Sequence, residues 1–538
     1  MNSQSVAASS IPVRDFRAIF LWALRLKPEG EELADGARHD HTCSSSQWLG
    51  KYADWICAAH GSQWQDSGPY RSHNFRIHTP TAEQSYAEFV YFHPFIQKFL
   101  FGNAASAPTK APAVRMLHRS DIRYAQVQLG PGDPILKFPV ERVQLILFPS
   151  DVAIVAVQLD HPGDLNLAQT QDFLDWGRRV YSPYFYGPGQ PGKVPHAMCW
   201  LDRQGNPVGR PSNFKTINPN HPTVPVAAHW ESLVQPLTPH GGVLNFEQVE
   251  DDRLPTMAFL AVDHPELVSR ADMVRLAFLD EHGSPDEYPY SRYFLADFEK
   301  EHCYDRFWSP GAPENWNTRV FCTDYSFVML GQAATFFTGV VSAHFEQHYF
   351  VLALVAHMQK ASLLAYWDRL AELVHDFERE PPSASSRHSF FDRQKWLLGD
   401  LADFTSRFWF TEVSNQLQAQ ELFDIWTKQL KTRSLFDQVT AQARLVREVQ
   451  SIQWQGQAEK VAVGAVIATL VTTFFAVVVA LPGFRALFGL KADTDLESCG
   501  FWCLVAVVLA LIASTTGLLY RLWRRQMHGP VPHVKPSK

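Results

Sequence analysis

At 538 residues and 46% hydrophobic content, the chain is long and apolar enough for two or three separate cores. A formal net charge of −7 argues against nucleic acid as a partner, because phosphate binding needs a basic surplus. The seven cysteines, Cys43, Cys57, Cys199, Cys303, Cys322, Cys499 and Cys503, are scattered and odd in number, which fits reduced cytosolic thiols better than a disulfide framework.

The N-terminus reads as lacking a signal peptide. FRAIFLWALRL (Phe16–Leu26) is apolar but short, is interrupted by Arg17 and Arg25, and has no small-residue cleavage site after it. It reads as an amphipathic element packed on a cytosolic domain, with a membrane-surface helix as the lesser option. Residues 1–340 are rich in proline, glycine and aromatics and read as one large mixed α/β domain. Within it, Tyr86–Phe101 mixes strand and helix signals. Arg142–Leu159 holds two β-branched apolar runs around Pro149, Ser150 and Asp151, the pattern of a β-hairpin. Leu165–Tyr181 has helical spacing, Met257–Asp263 and Arg319–Leu330 read as strands, and Ser182–Pro195 and Asn213–Pro225 read as long loops.

From Val341 the composition changes. His344–Glu378 has a helical apolar rhythm with no proline or glycine, and Pro381 and Pro382 then break it. Thr411–Gln455 is polar-rich, with Leu435, Val439, Gln442, Val446 and Val449 near a 3.5-residue spacing. Residues 341–459 thus read as a helical stalk. Continuous from Thr411 to Leu481, its last helix would be roughly 100 Å long, with a break expected near Arg433.

Two uncharged runs, Val461–Leu481 and Phe501–Tyr520, each match the roughly 20 apolar residues that cross a bilayer core. Residues 460–523 therefore read as two transmembrane helices joined by a short loop, and 524–538 as a basic tail. Arg521, Arg524, Arg525, Lys535 and Lys538 follow the second run without an acid, and Arg444, Arg447 and Lys460 precede the first. The loop instead carries Asp493, Asp495 and Glu497 beside Arg485 and Lys491. The positive-inside bias places both termini in the cytoplasm and the loop outside, in an inner or plasma membrane. The fold class expected is an α+β membrane protein: a cytosolic mixed α/β domain, a helical stalk and two C-terminal spans.

Few motifs carry soluble chemistry. GPGQPGKV (Gly187–Val194) approaches a phosphate-binding loop, but Val194 replaces the magnesium-binding hydroxyl and Pro195 stands where a helix should begin. HFEQH (His344–His348) sets two imidazoles four residues apart, a metal-capable spacing that also suits a packed pair. HDHTC (His39–Cys43) offers ligands without a second pair. No catalytic set emerges, and no enzyme is expected. In the first span, Thr469, Thr472 and Thr473 share a face with Ala465, Ala476 and Ala480. Such a stripe can line a narrow wet pore, or it can pack helix on helix. Asp493, Asp495 and Glu497, repeated around an oligomer, would gather cations at the outer mouth.

The sequence of parts over Val341–Lys538, helices leading into the first of two closely spaced C-terminal spans with a basic tail inside, resembles the CorA-like magnesium transporter family. Arg142–Leu159 resembles that family's domain strands more weakly. The resemblance implies a homopentameric funnel in the membrane, with the first span lining a pore for magnesium, zinc, cobalt or nickel as transported or regulatory ion and no other cofactor. Where the family carries Gly-Met-Asn, this chain reads ALPGFRALFG (Ala480–Gly489), where only backbone carbonyls offer oxygen around Pro482, Gly483 and Phe484. The alternative is a non-conducting, membrane-anchored scaffold or sensor with the same architecture.

Overall fold

The computed structural model of the protein describes residues 7–28, 45–70, 89–102, 113–161, 163, 165–181, 194–212, 226–239, 244–310, 317–379 and 384–448. The chain divides into two compact units, residues 1–369 with 396–439, and residues 370–395 with 440–538. Both expected spans, the loop between them and the basic tail lie outside the described residues, as do HDHTC and all of GPGQPGKV except Val194.

The first unit is mixed α/β and is built on one sheet. In chain order its strands are β1 (Pro12–Pro28), β2 (Gln65–Gly68), β3 (Arg115–His118), β4 (Tyr124–Gln128), β5 (Ile135–Phe148), β6 (Val152–His161), β7 (Leu165–Asn166) and β8 (Ala197–Leu201). They continue as β9 (Pro207–Ser212), β10 (Leu244–Gln248), β11 (Thr256–Val262), β12 (Cys303–Trp308), β13 (Asn317–Cys322) and β14 (Ser326–Gln332). The main path across the sheet is β12-β13-β14-β11-β1-β6-β5-β4-β8-β9. Neighbours are antiparallel except β11 and β14, which run parallel. Their connection contains the helix Arg270–Phe278, whose N-cap Ser269 accepts from the Asp272 amide.

Strand β1 is central, and it corrects the expectation that Phe16–Leu26 is an amphipathic element packed on the outside of the domain. It pairs with β6 over Phe16–Arg25 and with β11 over Val13–Phe20, so its backbone groups are satisfied on both sides. The local pattern suits helix or strand, and pairing with two neighbours decides for strand. The expected hairpin is present as β5–β6. Its turn holds Ser150 and Asp151 at φ 71° and 57°. Two successive left-handed residues match the right-handed twist of the flanking strands. The helical expectation over Leu165–Tyr181 is met by the helix Leu167–Trp176, which opens with a reciprocal Asn166–Gln169 capping box. Tyr86–Phe101 resolves in its second half as the helix Pro94–Phe101.

The two faces of β1 meet different layers. Phe16, Phe20 and Trp22 point into a core where their rings meet Phe173, Trp230 and Phe246 edge-on. The alternate residues, Arg17 to Arg25, face a helical run that starts with π-type turns at Phe337–Val341 and Phe345–Tyr349 and continues as Phe350–Arg379. Phe259 of β11 stacks on Phe337, and Phe327 of β14 stacks on Trp426 of the helix Leu417–Gln429. Of the described helices, only Phe337–His375 is long and apolar enough to cross a membrane. Val351, Leu354, Val355 and Met358 within it are fully buried, which makes it a core helix of this unit.

Residues read from sequence as stalk therefore contribute to the first unit. The run from Thr411 is not one continuous helix. Phe410–Gln416 is irregular, Leu417–Gln429 is helical, and Lys431 at φ 54° separates it from the helical residues 432–448. That break falls close to the expected one near Arg433. In the second unit the described residues are helical, and Gln394 Nε2 donates to the Val446 carbonyl at 3.0 Å.

Candidate functional site

The polar groups that stand out in the first unit line the seam between the sheet and the long helix. Arg17 is buried, yet its Nη1 donates to Glu346 Oε1 at 2.5 Å and its Nη2 to Asp15 Oδ2 at 3.0 Å. Gln158 Nε2 donates to the same Glu346 oxygen at 2.9 Å and to Asp160 Oδ1 at 3.0 Å. Arg142 Nη2 donates to the Glu346 carbonyl at 2.8 Å, and its guanidinium lies 4.4 Å from the centre of the Phe350 ring. Strands β1, β5 and β6 thus converge on one glutamate in a π-type turn, a helix irregularity found at functional positions. Burial works against the Arg17 charge, but Glu346, Asp15 and Asp160 outweigh it and raise its pKa.

A second arginine on the same face of β1 repeats the device. Arg25 pairs with Asp368, with Glu247 at 3.8 Å. From Arg17 to Arg25 a strand covers about 27 Å. From Glu346 to Asp368 a helix covers about 33 Å. The helix therefore lies along β1 and is held at both ends by charge.

Near the second anchor, the β5–β6 turn inserts between helices. Arg369 Nη2 donates to the Ser150 carbonyl at 2.6 Å and to Asp151 Oδ2 at 2.7 Å, and its Nη1 lies 3.5 Å from Asp400 Oδ2. Tyr366 donates to Asp400 Oδ2 at 2.8 Å, and its hydroxyl lies 2.5 Å from Ser150 Oγ. The Tyr52 hydroxyl donates to Asp151 Oδ1 at 3.2 Å. One guanidinium here serves two carboxylates. Burial, together with the charge of Asp151, pushes the Asp400 carboxyl up to about 6, against the pull of Arg369 and Tyr366. The arrangement can hold a proton near pH 6 at a junction of turn and helices.

The HFEQH segment plays a different part from the one its spacing suggests. Its glutamate, Glu346, is the anchor. The His344 and His348 rings meet edge-on at 4.9 Å, and Tyr91 stacks on His348 at 4.1 Å. Among the described residues no group of three or more His, Cys, Asp or Glu side chains is placed to hold a metal. The pore candidates Thr469, Thr472 and Thr473 and the acidic group Asp493, Asp495 and Glu497 lie outside the described residues.

Sequence reasoning missed Arg17, Arg25, Arg369 and Asp400 as anchors. For the first two a signal existed: two arginines an even number of residues apart in an apolar run share one face of a strand. For Arg369 and Asp400 the partners are distant in sequence, and no local pattern marks them. Comparison with protein-family models, with curated proteins and with solved structures finds no match.

Proposed function

We propose that the chain is a CorA-like oligomeric membrane channel or transporter for divalent metal cations, with Val461–Leu481 lining the pore. The observation that carries this reading is the pair of uncharged, span-length runs near the C-terminus, with basic residues on their outer flanks and acids in the loop between. The one described helix long enough to span is already buried against the sheet, which leaves the C-terminal runs as the membrane segments of this reading. In it the protein is a homopentamer with both termini in the cytoplasm. Thr469, Thr472 and Thr473 offer oxygens along the pore, and Asp493, Asp495 and Glu497 form the acidic outer mouth.

One observation favours a second reading, a non-conducting membrane-anchored scaffold or sensor. No side chain in the Pro482-Gly483-Phe484 turn can replace an ion's water, so selectivity there would fall to backbone carbonyls. Uptake by purified protein in liposomes separates the two. The transporter reading expects magnesium, zinc, cobalt or nickel to enter faster than into empty liposomes. No uptake of any of the four, across several pH values and membrane potentials, leaves the scaffold.

A further inference from the structure

The turn between β5 and β6 adopts a conformation that its own residues do not favour. Ser150 and Asp151 sit at φ 71° and 57°, left-handed positions without a glycine. Contacts from the helices hold them there. Arg369 Nη2 clasps the turn from the long helix, at the Ser150 carbonyl (2.6 Å) and at Asp151 Oδ2 (2.7 Å). The single hydroxyl proton of Tyr366 goes to Asp400 Oδ2 at 2.8 Å, so the 2.5 Å contact with Ser150 Oγ is donated by the serine. The Asp151 carbonyl accepts from Leu26 N at 2.8 Å, which ties the same turn to the end of β1.

Asp400, on the helix Ala384–Arg407, is poorly matched as an anion. Its side chain keeps only 14% of its exposure. Tyr366 gives it one hydrogen bond. Arg369 Nη1 lies 3.5 Å from Oδ2 without a hydrogen bond, because the other end of the guanidinium is committed to the turn. Asp151 on the turn, and Asp403 one turn along its own helix, face it with the same sign. Those two carboxylates have further partners: Tyr52 donates to Asp151 at 3.2 Å, and Arg407 lies 2.9 Å from Asp403. Asp400 is therefore the carboxyl of the junction that holds a proton.

With that proton in place, Arg369 answers one negative charge and the clasp is complete. Without it, two negative charges stand on opposite sides of the contact, Asp151 on the turn and Asp400 on the helix, with one guanidinium between them. Drawing Nη1 into a bond with Asp400 moves the guanidinium away from the turn, and the two carboxylates repel. Both changes loosen the same contact. We propose that the Asp400 proton is a latch: bound, it locks the β5–β6 turn onto the long helix; lost, it frees the turn. The latched state binds the proton more tightly than the open state does. The latch is therefore strongest below about pH 4 and weakens up to about pH 6.

The test is hydrogen–deuterium exchange of the full chain in detergent, read by mass spectrometry for peptides covering residues 147–153 and, as a reference, β11. Protection factors at pH 5 and pH 7.5 remove the pH dependence of the chemical exchange itself. With an open-state carboxyl near 3.8 and a latched one near 6, the wild-type turn should be about tenfold less protected at pH 7.5 than at pH 5, with β11 unchanged. Asp400→Asn keeps an acceptor for Tyr366 and cannot ionise, so its turn should be equally protected at both. Asp151→Asn removes the opposing charge, lets Asp400 ionise about one unit lower, and should cut the change to about twofold. A wild-type turn equally protected at both pH values overturns the proposal. So does Asp400→Asn losing protection as wild type does, or a loss at pH 7.5 that β11 shares, which is general destabilisation rather than release of the turn. Should Asp400→Asn not fold, wild type and Asp151→Asn decide alone.

Discussion

A guanidinium inside a β-sheet is tolerated only where the charges around it are matched, and Arg17 meets that condition through Glu346, Asp15 and the Gln158 amide that shares the glutamate. Removing one side of such a pair strands the other. Glu346→Ala should therefore destabilise the first unit by about 3–5 kcal/mol in urea unfolding followed by tryptophan fluorescence. Adding Arg17→Met in the same chain should recover most of that loss, since the uncompensated charge leaves with it. A single variant as stable as wild type would remove Glu346 from the role of anchor. Asp400 makes the opposite kind of contribution. Its carboxyl is held at about 6, above the ordinary 3.8, so the folded state binds the proton more readily than the unfolded state. Below about pH 4 the group is protonated in both states and costs nothing. As pH rises from about 4 to 6 the cost grows, reaching about 3 kcal/mol above pH 6. Asp400→Asn keeps an acceptor for Tyr366 and removes the titration. Its stability relative to wild type should climb across that window and level off above it. A difference that stays flat from pH 4 to 7 would mean that the proton resides elsewhere. Glu250 titrates with the other sign. It is buried, but Lys360 at 2.9 Å and His357 at 3.7 Å hold its carboxyl down to about 2 against that burial. Its stabilisation is complete above about pH 4.5 and is lost as pH falls towards 2, outside the Asp400 window.

Helix and strand boundaries follow the same local chemistry, and they show where the sequence can be read. The helix Leu417–Gln429 closes through Leu430 N to the Trp426 carbonyl at 2.9 Å, and Lys431 follows with φ 54°. That left-handed position just past a helix end favours glycine, because a Cβ there crowds the following carbonyl. Lys431→Gly should stabilise the protein by about 1 kcal/mol, and Lys431→Val should cost at least as much, both read from the midpoint of urea unfolding. Equal stability of the two variants would show that the bend is set from elsewhere. Elements whose signal is local were legible. Pro149-Ser150-Asp151 between β-branched runs is a turn wherever it occurs, and the spacing over Leu165–Tyr181 marks a helix without help from the rest of the chain. Strand β1 was not legible, because Phe16–Leu26 satisfies both periods and only β6 and β11 on either side decide. The long helix was legible as a helix but not in its placement. Its run from His344 gives the period, whereas the arginines that hold it on the sheet lie more than three hundred residues away, at Arg17 and Arg25. Of the seam itself only Glu346 fell inside a motif that sequence reading singled out, and there the histidines drew the notice.

At the scale of the molecule, the proposal of cation transport rests on what a bilayer demands of an ion. A divalent cation stripped of water at mid-membrane is prohibitively costly unless other oxygens replace the hydration shell. In that proposal the oxygens along the first run are those of Thr469, Thr472 and Thr473, since the residues around them are apolar. Thr472→Leu removes one of them and adds bulk, so in the proposed five-fold pore it would narrow and dry the same level five times over. Leucine is well tolerated at lipid depth, so the variant should insert and assemble as wild type does. Divalent-cation uptake into liposomes should then fall to the level of empty vesicles. In the same proposal the acids of the loop act at a distance rather than by coordination. Asp493→Asn, Asp495→Asn and Glu497→Gln together should lower uptake strongly near 0.01 M ionic strength, where the screening length is about 30 Å, and only weakly near 0.1 M, where it is about 10 Å. The two experiments probe separate parts of the path. Wild-type uptake that Thr472→Leu leaves intact would keep a transporter but move its pore away from the threonine face. Uptake lowered equally at both ionic strengths by the triple variant would mean that the acids bind the ion directly instead of gathering it from solution.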